Sequence, residues 1–404
     1  MADVYLVRQP IFDKTESAVG YELRFRDPGD GSDAFARSFL SGAFDVLRGG
    51  LPAWVPLSRS ALENDVYALP EPSALVLMIP PDFPTDLDVI ERVAALHKAG
   101  VTFVLDEFER PTLTSSPALA FLPYAKMARI DLRSISVEDA APLVAALRKQ
   151  GKRVVADEVF DSRAYASSLA VGFDLMQGPH FARPEPLPSA ELPTSTVAAL
   201  RVMALARDPD VGDREIERVI SSDPGITFQL LRVVNSASVG GRGISSIAHA
   251  LRLAGRANLV RWLALASYAA RAGKSGVDDE LARQAVQRAF LSESLAKSVR
   301  SLDHGTAFLV GLFSLLDAVF RIPLHEVLER INLADDVKLA LLERSGPYAV
   351  ALQAIESYEL GLWESATEHL AAMSVSPDAF PVMYADALRS AEELVPGKRA
   401  CAAV

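Results

Sequence analysis

The sequence predicts a (β/α) barrel over residues 1–190 followed by an all-α domain over residues 195–404. Three observations carry that prediction. In the first half, short apolar runs rich in β-branched residues alternate with amphipathic runs of helical period. Several of those short runs end in polar side chains: Asp106-Glu107, Asp131, Asp157-Glu158 and Gln177-Gly178. Beyond a proline-rich segment at 182–193, which holds Pro184, Pro186, Pro188 and Pro193, the strand signal largely disappears.

Taken in order, residues 4–6 and 18–25 read as strands with a turn at 13–17. Residues 33–47 place Phe35, Phe39, Phe44 and Leu47 at helical spacing, and Gly49-Gly50 stops that helix. Residues 54–57 and 75–79 are strands, the second ended by Pro80-Pro81. Residues 87–98 form an amphipathic helix with Val89, Ile90, Val93 and Leu96 on one side, closed at Gly100. The strand 101–105 then runs into Asp106-Glu107-Phe108. The pattern repeats with strands at 124–130, 153–156 and 173–176 and helices at 138–150 and 163–171. Repeated β-α units with polar residues after each strand fit a barrel, whose sites lie at the carboxyl ends of its strands.

After the boundary, helices are expected at 195–207, 213–221, 225–235, 245–253, 259–271, 280–298, 307–320, 325–331, 335–343, 348–360 and 364–373. Asp223-Pro224 supplies a cap and an N-terminal proline, and Ser245-Ser246 supplies a second start signal.

Composition narrows the function classes. Half of the 404 residues are hydrophobic, 23% are charged, and the formal net charge is −11. That balance is globular, and it argues against a general binder of nucleic-acid polymers. The single cysteine, Cys401, excludes an internal disulfide framework and is compatible with a reducing compartment. The longest apolar run, 307–316, falls short of the roughly 18 residues that a membrane span needs. The first residues lack a basic stretch followed by an apolar one, so no signal peptide is expected. Cys401-Ala402-Ala403-Val404 formally fits a prenylation box and is read as a solvated tail. A cytoplasmic protein follows as the expectation.

Adjacent carboxylates at a strand end, as in Asp106-Glu107, are chemistry suited to a divalent ion. In the second half, His249, His304, His325 and His369 are scattered without metal-ligand spacing. Trp262 and Trp363 read as core aromatics. Arg252, Arg256 and Arg261 form a basic cluster that reads first as a solvated face and otherwise as a seat for a phosphate or an acidic partner.

Certain residues carry a family resemblance. Val7-Arg8-Gln9-Pro10-Ile11-Phe12 and Gly20-Tyr21-Glu22-Leu23-Arg24-Phe25-Arg26 resemble the opening of bacterial EAL domains. Leu105-Asp106-Glu107-Phe108, Arg129-Ile130-Asp131, Val155-Ala156-Asp157-Glu158-Val159 and Gln177-Gly178 resemble their later motifs, in family order. The second half resembles the HDOD domain, a helical relative of HD phosphohydrolases. Its signature is Ser222-Asp223-Pro224-Gly225 leading to Leu230-Leu231-Arg232-Val233-Val234-Asn235-Ser236-Ala237, then Ile244-Ser245-Ser246-Ile247. The whole resembles two-domain EAL–HDOD signalling proteins.

Active EAL domains are similar to metal-dependent phosphodiesterases that open the ring of cyclic di-GMP. The resemblance implies that catalytic and metal-binding roles would fall on Glu22, Asp106, Glu107 and Asp157, with Mg²⁺ or Mn²⁺ as cofactor. It implies that nucleotide contacts would fall on Gln9, Glu22, Arg26, Asp106 and Gln177. Several positions depart from the pattern. Pro56 and Met78 stand where side-chain ligands are expected, Glu107 replaces an aspartate, Arg129 a lysine and Asp157 a glutamate. Glu109-Arg110-Pro111 replaces a glycine-rich loop, and Ser314-Leu315 stands where the His-Asp metal pair of HD enzymes would lie. Proline and methionine offer no hard oxygen through their side chains. The expectation is therefore a degenerate EAL barrel joined to an HDOD module: not an enzyme, no cofactor, acting through contacts with signalling proteins, with a homodimer implied by the resemblance. The alternatives are a residual cyclic-di-GMP phosphodiesterase and a receptor that binds cyclic di-GMP without cleaving it.

Overall fold

The computed structural model describes residues 5–26, 31–108, 117–182, 210–235, 246–269, 275–329 and 333–395, together with positions 199, 202–203, 205–206 and 243–244. The chain divides into two compact units, Met1–Glu185 and Pro186–Lys398. The expected proline-rich boundary, the helix at 195–207, the segment Glu109-Arg110-Pro111 and Cys401 lie outside the described residues, apart from those isolated positions and the first residue of the boundary segment.

The first unit is a closed barrel of eight strands in sequence order: β1 (Tyr5–Asp13), β2 (Ala18–Arg26), β3 (Ala53–Pro56), β4 (Leu75–Ile79), β5 (Thr102–Leu105), β6 (Ala125–Asp131), β7 (Arg153–Asp157) and β8 (Leu175–Met176). All neighbours are parallel except β1, which runs antiparallel to both β2 and β8. β4 and β5 are buried along their whole length, as strands with apolar residues on both faces must be. The barrel interior is filled by Ile11, Val19, Trp54, Val76, Met78, Val104, Met127, Val155 and Leu175. Strand alternation then carries the inward row upward to Asp106, Arg129, Asp157 and Gln177 at the carboxyl ends.

Helices α1 (Ser32–Leu40), α2 (Ala43–Arg48), α3 (Arg59–Glu63), α4 (Leu87–Ala99), α5 (Val137–Lys149), α6 (Ser162–Val171) and α7 (Pro179–Ala182) connect the strands. Their ends follow the sequence. Asp86, Ser136 and Asp161 accept from the Val89, Asp139 and Ala164 N–H groups, and α4 stops at Gly100 with φ 104°. The single helix expected over 33–47 is instead α1 and α2. Ser41 ends α1, and Gly42, with φ 75°, turns the chain before α2 begins.

The second unit is helical throughout its described residues: α8 (Asp213–Ser221), α9 (Pro224–Val234), α10 (Ile247–Ala269), α11 (Gly276–Lys297), α12 (His304–Phe313), α13 (Leu316–Phe320), α14 (Leu324–Glu329), α15 (Asp335–Leu342), α16 (Ala349–Glu359), α17 (Trp363–Ala372) and α18 (Phe380–Leu394). Asp223 caps α9 ahead of Pro224, as the pattern predicts. α10 is broken at Gly255 (φ 75°, ψ 174°), between the two helices expected there. The helix expected over 307–320 is two, because Leu315 leaves helical geometry. α18 has no counterpart in the sequence expectation. It starts with Phe380-Pro381 directly after a short turn, where proline reads equally as a breaker.

α11 is the centre of this unit, and α12, α16 and α18 pack against it. No helix is long and apolar enough to cross a membrane among the described residues. The approach of α12 to α11 needs Gly311, because a Cβ there would stand 2.3 Å from the Arg288 carbonyl oxygen. Gly311→Ala is expected to cost about 1–3 kcal/mol, read as a lower denaturation midpoint of the full chain. An unchanged midpoint would show that the two helices separate freely.

Candidate functional site

The inward row places one side chain from each of five strands at the carboxyl end of the barrel: Glu22 from β2, Asp106 after β5, Arg129 from β6, Asp157 from β7 and Gln177 after β8. Three carboxylates converge on the Arg129 guanidinium. Its Nε and Nη2 donate to Asp106 Oδ1 and Oδ2 at 2.5 and 2.9 Å, a two-pronged pair. Its Nη1 donates to Glu22 Oε2 at 2.9 Å and lies 3.3 Å from Asp157 Oδ2. The four side chains are between 7% and 15% exposed. Gln177 is buried completely. Its Nε2 donates to Glu22 Oε2 at 2.6 Å, and its Oε1 has no partner.

Backbone geometry holds two of the carboxylates in the same way. Glu107 (φ 45°) and Glu158 (φ 58°) both take the left-handed conformation, which costs a non-glycine residue on the order of 1 kcal/mol. Each donates its N–H to the carboxylate before it, Asp106 or Asp157, at 2.9 Å. The next residue hydrogen-bonds onward in both corners, Phe108 N–H to the Arg129 carbonyl and Val159 N–H to the Gln177 carbonyl. Gly178 abuts the second corner so closely that a Cβ would lie 2.3 Å from the Val159 nitrogen.

The shared arginine divides its charge unequally. Burial alone would raise the Glu22 carboxyl, but Arg129, then Arg24 and the Gln177 hydrogen bond, hold it down at about 2. Burial pushes Asp157 up to about 6; Glu22 and Glu158 reinforce that rise, and Arg129 only partly opposes it. Arg129 is driven the other way from its burial, upward, by Glu22, Asp106 and Asp157, and stays charged.

Among the residues singled out from the sequence, the structure brings together Glu22, Asp106, Asp157, Arg129 and Gln177. Gln9 pairs in register with Glu22 across β1 and β2 and is half-buried. Glu107 is exposed, outside the buried set. The side chain of Arg26 lies outside the described residues. Met78 points into the barrel core, and Pro56 is its neighbour across β3 and β4. Sequence reading treated Arg129 as a departure from a motif and missed that it is the hub. Its inward position, two residues after the core residue Met127 on the same strand, is the signal that locates it. It also missed Arg24, whose Nε lies 3.3 Å from Glu22 Oε1.

The second unit's candidates are accounted for locally. Arg256 pairs with Asp213 at 2.7 Å. Arg261 makes a two-pronged pair with Glu293 and lies 4.0 Å over the Phe308 ring. Arg252 is exposed. Trp262 is buried, and Trp363 stands edge-on to Tyr358. Ser314 is buried and accepts from Arg288 Nη1 at 3.1 Å.

A divalent ion needs several oxygens around one shared centre at roughly 2.0–2.6 Å. Here the oxygens of Glu22, Asp106 and Asp157 surround the guanidinium of Arg129 instead, and β3 and β4 offer Pro56 and Met78. As arranged, these residues do not fit such an ion. Among the described residues no group of three or more His, Cys, Asp or Glu is placed to hold one.

Because the folded Asp157 carboxyl sits above its ordinary value, its charge opposes folding at neutral pH, and the penalty fades as pH falls through about 6 toward 4. Asp157→Asn removes that penalty. The variant is expected to gain stability relative to the parent at pH 7.5 and to lose that advantage at pH 4.5, as read by thermal midpoints. A difference that is flat with pH would contradict the raised Asp157. Glu22 has the opposite sign, contributing stability above about 4.5 that is lost as pH falls toward 2.

The pattern of the HDOD domain matches residues 192–331. The chain is 30% identical over 389 residues to the cyclic di-GMP phosphodiesterase CdgJ of Vibrio cholerae, covering 91% of this chain and 88% of that protein. It is 25% identical to YuxH of Bacillus subtilis, covering 90% and 93%. Its barrel resembles two solved structures. One is the PaMucR phosphodiesterase in complex with c-di-GMP (18% identity, TM-score 0.37, 44% of this chain and 94% of that one). The other is an EAL domain protein of Listeria monocytogenes (19% identity, TM-score 0.37, 45% and 88%). The Vibrio relative, named as an enzyme, overturns the expectation that this chain is not one. That expectation counted altered motif letters singly, whereas folding gathers Glu22, Asp106 and Asp157 into one cluster whatever stands at Pro56 and Met78. The chain belongs to the EAL–HDOD family of the Vibrio protein.

Proposed function

We propose that this protein works in cyclic di-GMP signalling, with the mouth of the barrel as its cyclic di-GMP site. The observation that carries the reading is the buried assembly of Glu22, Asp106, Arg129, Asp157 and Gln177 at the carboxyl ends of the strands, where barrels of this kind place their sites. Kinship with a relative named for acting on this dinucleotide supports the choice of ligand, and cleavage of a phosphodiester bond is the activity that the same kinship supports. The chemistry agrees with the ligand class. A phosphodiester is an anion that competes for a guanidinium such as Arg129. The unpartnered Oε1 of Gln177 is an acceptor for a base N–H, and leaving it unmet costs about 1–3 kcal/mol. Transmission to a partner protein through the helical unit, and a cytoplasmic location, are parts of this reading that rest on the family resemblance.

The test is a calorimetric titration of the full chain with cyclic di-GMP in the presence of Mn²⁺, followed by chromatography of the products. Saturable heat that is lost in Asp106→Ala is expected. A linear dinucleotide product would establish cleavage, and heat without product would establish a site that holds the dinucleotide. Neither heat nor product up to roughly 100 µM ligand would overturn the reading.

A further inference from the structure

We propose that Arg129 is itself the cation of the barrel mouth: a tethered guanidinium that occupies the seat of a divalent ion and keeps such ions out of the nucleotide-free site. The proposal concerns inorganic cations alone and holds whether or not the mouth takes cyclic di-GMP.

The geometry argues it in three steps. First, Arg129 spends its donors on the oxygens that a metal would need. Asp106 is engaged through both oxygens, Glu22 through Oε2, and Asp157 through Oδ2. Second, the arginine is placed by the fold. It rises from β6, between Asp106 at the end of β5 and Asp157 at the end of β7, and reaches across the barrel to Glu22 on β2. A cation delivered on the chain acts at a high effective concentration, so a free ion at millimolar concentration competes poorly with it. Third, the charge is compensated from within. The guanidinium lies against all three carboxylates, so a second cation gains less from the cluster than it would from bare carboxylates. Without the Arg129 side chain, three carboxylates at 7–15% exposure would face one another with much less countercharge. That is an arrangement that captures a divalent ion or shifts toward protonation.

The test uses metal chloride as the sole ligand, on the full chain and on Arg129→Ala. Titration calorimetry and thermal midpoints are recorded with Mn²⁺, Mg²⁺ and Ca²⁺ at neutral pH. The parent chain is expected to show no saturable heat and no shift of midpoint at 1 mM ion. The variant is expected to melt lower without metal, to bind one ion, and to recover roughly 5 °C on adding it. Addition of Asp106→Ala to the variant is expected to abolish that gain. If Arg129→Ala does not fold, Arg129→Gln, which keeps a neutral donor in the space, takes its place. One-to-one Mn²⁺ binding by the parent chain that disappears in Asp106→Ala would overturn the proposal. So would a folded Arg129 variant that binds no more metal than the parent. Because no nucleotide is present, neither result depends on whether cyclic di-GMP binds.

Discussion

The mouth of the barrel depends on one buried guanidinium. Carboxylates taken out of water are costly unless charge and hydrogen bonds replace the lost hydration. Arg129 supplies both to Asp106, Glu22 and Asp157, and so ties the ends of β5 and β7 to β2 across the barrel. Removing the guanidinium from such a buried set leaves the carboxylates uncompensated, at a cost of roughly 3–5 kcal/mol. The compensation is also incomplete. Asp106 takes a two-pronged pair and Glu22 a hydrogen bond supported by Gln177 and Arg24, while Asp157 receives the longest contact and keeps a raised pKa. The left-handed backbones at Glu107 and Glu158 are tolerated because each N–H is anchored on the carboxylate it presents.

The helical unit uses the same physical device in a different architecture. Arg288, buried on α11, donates to Glu359 through Nε and Nη2 and to Glu356 and Ser314 through Nη1. Ser314 stands in the stretch that the family resemblance aligns with the metal pair of HD enzymes. Burial works against the charge on Arg288, yet Glu359 and Glu356 raise its pKa. Arg344 takes up the remaining charge of Glu356. Arginine suits such positions because it remains protonated under burial and its planar fork satisfies two carboxylates at once.

Much of the architecture was legible in the chain. Short apolar runs ending in Asp106, Asp131, Asp157 and Gln177 marked the barrel strands, and Asp223 ahead of Pro224 marked a helix start, because these signals act within a few residues of themselves. The breaks at Gly42 and Leu315 were not legible, since apolar spacing continues across both while the backbone does not. α18 was missed because proline at a helix start and proline as a breaker look alike until the packing against α11 is known. Altered motif letters, read one at a time, led to the wrong expectation about catalysis, which kinship with a named phosphodiesterase corrects.

By itself the sequence determined the fold class, the alternation of inward and outward positions, and the identity of the residues offered at the barrel mouth. Strand period and turn chemistry are local properties, and they leave few architectures open. Only the tertiary structure decided what those residues do to one another. Glu22 and Arg129 are 107 positions apart, and Glu22 and Gln177 are 155 apart. No local pattern links them. Barrel closure sets their distances, the distances set the sharing of charge, and that sharing makes Arg129 the centre of the site.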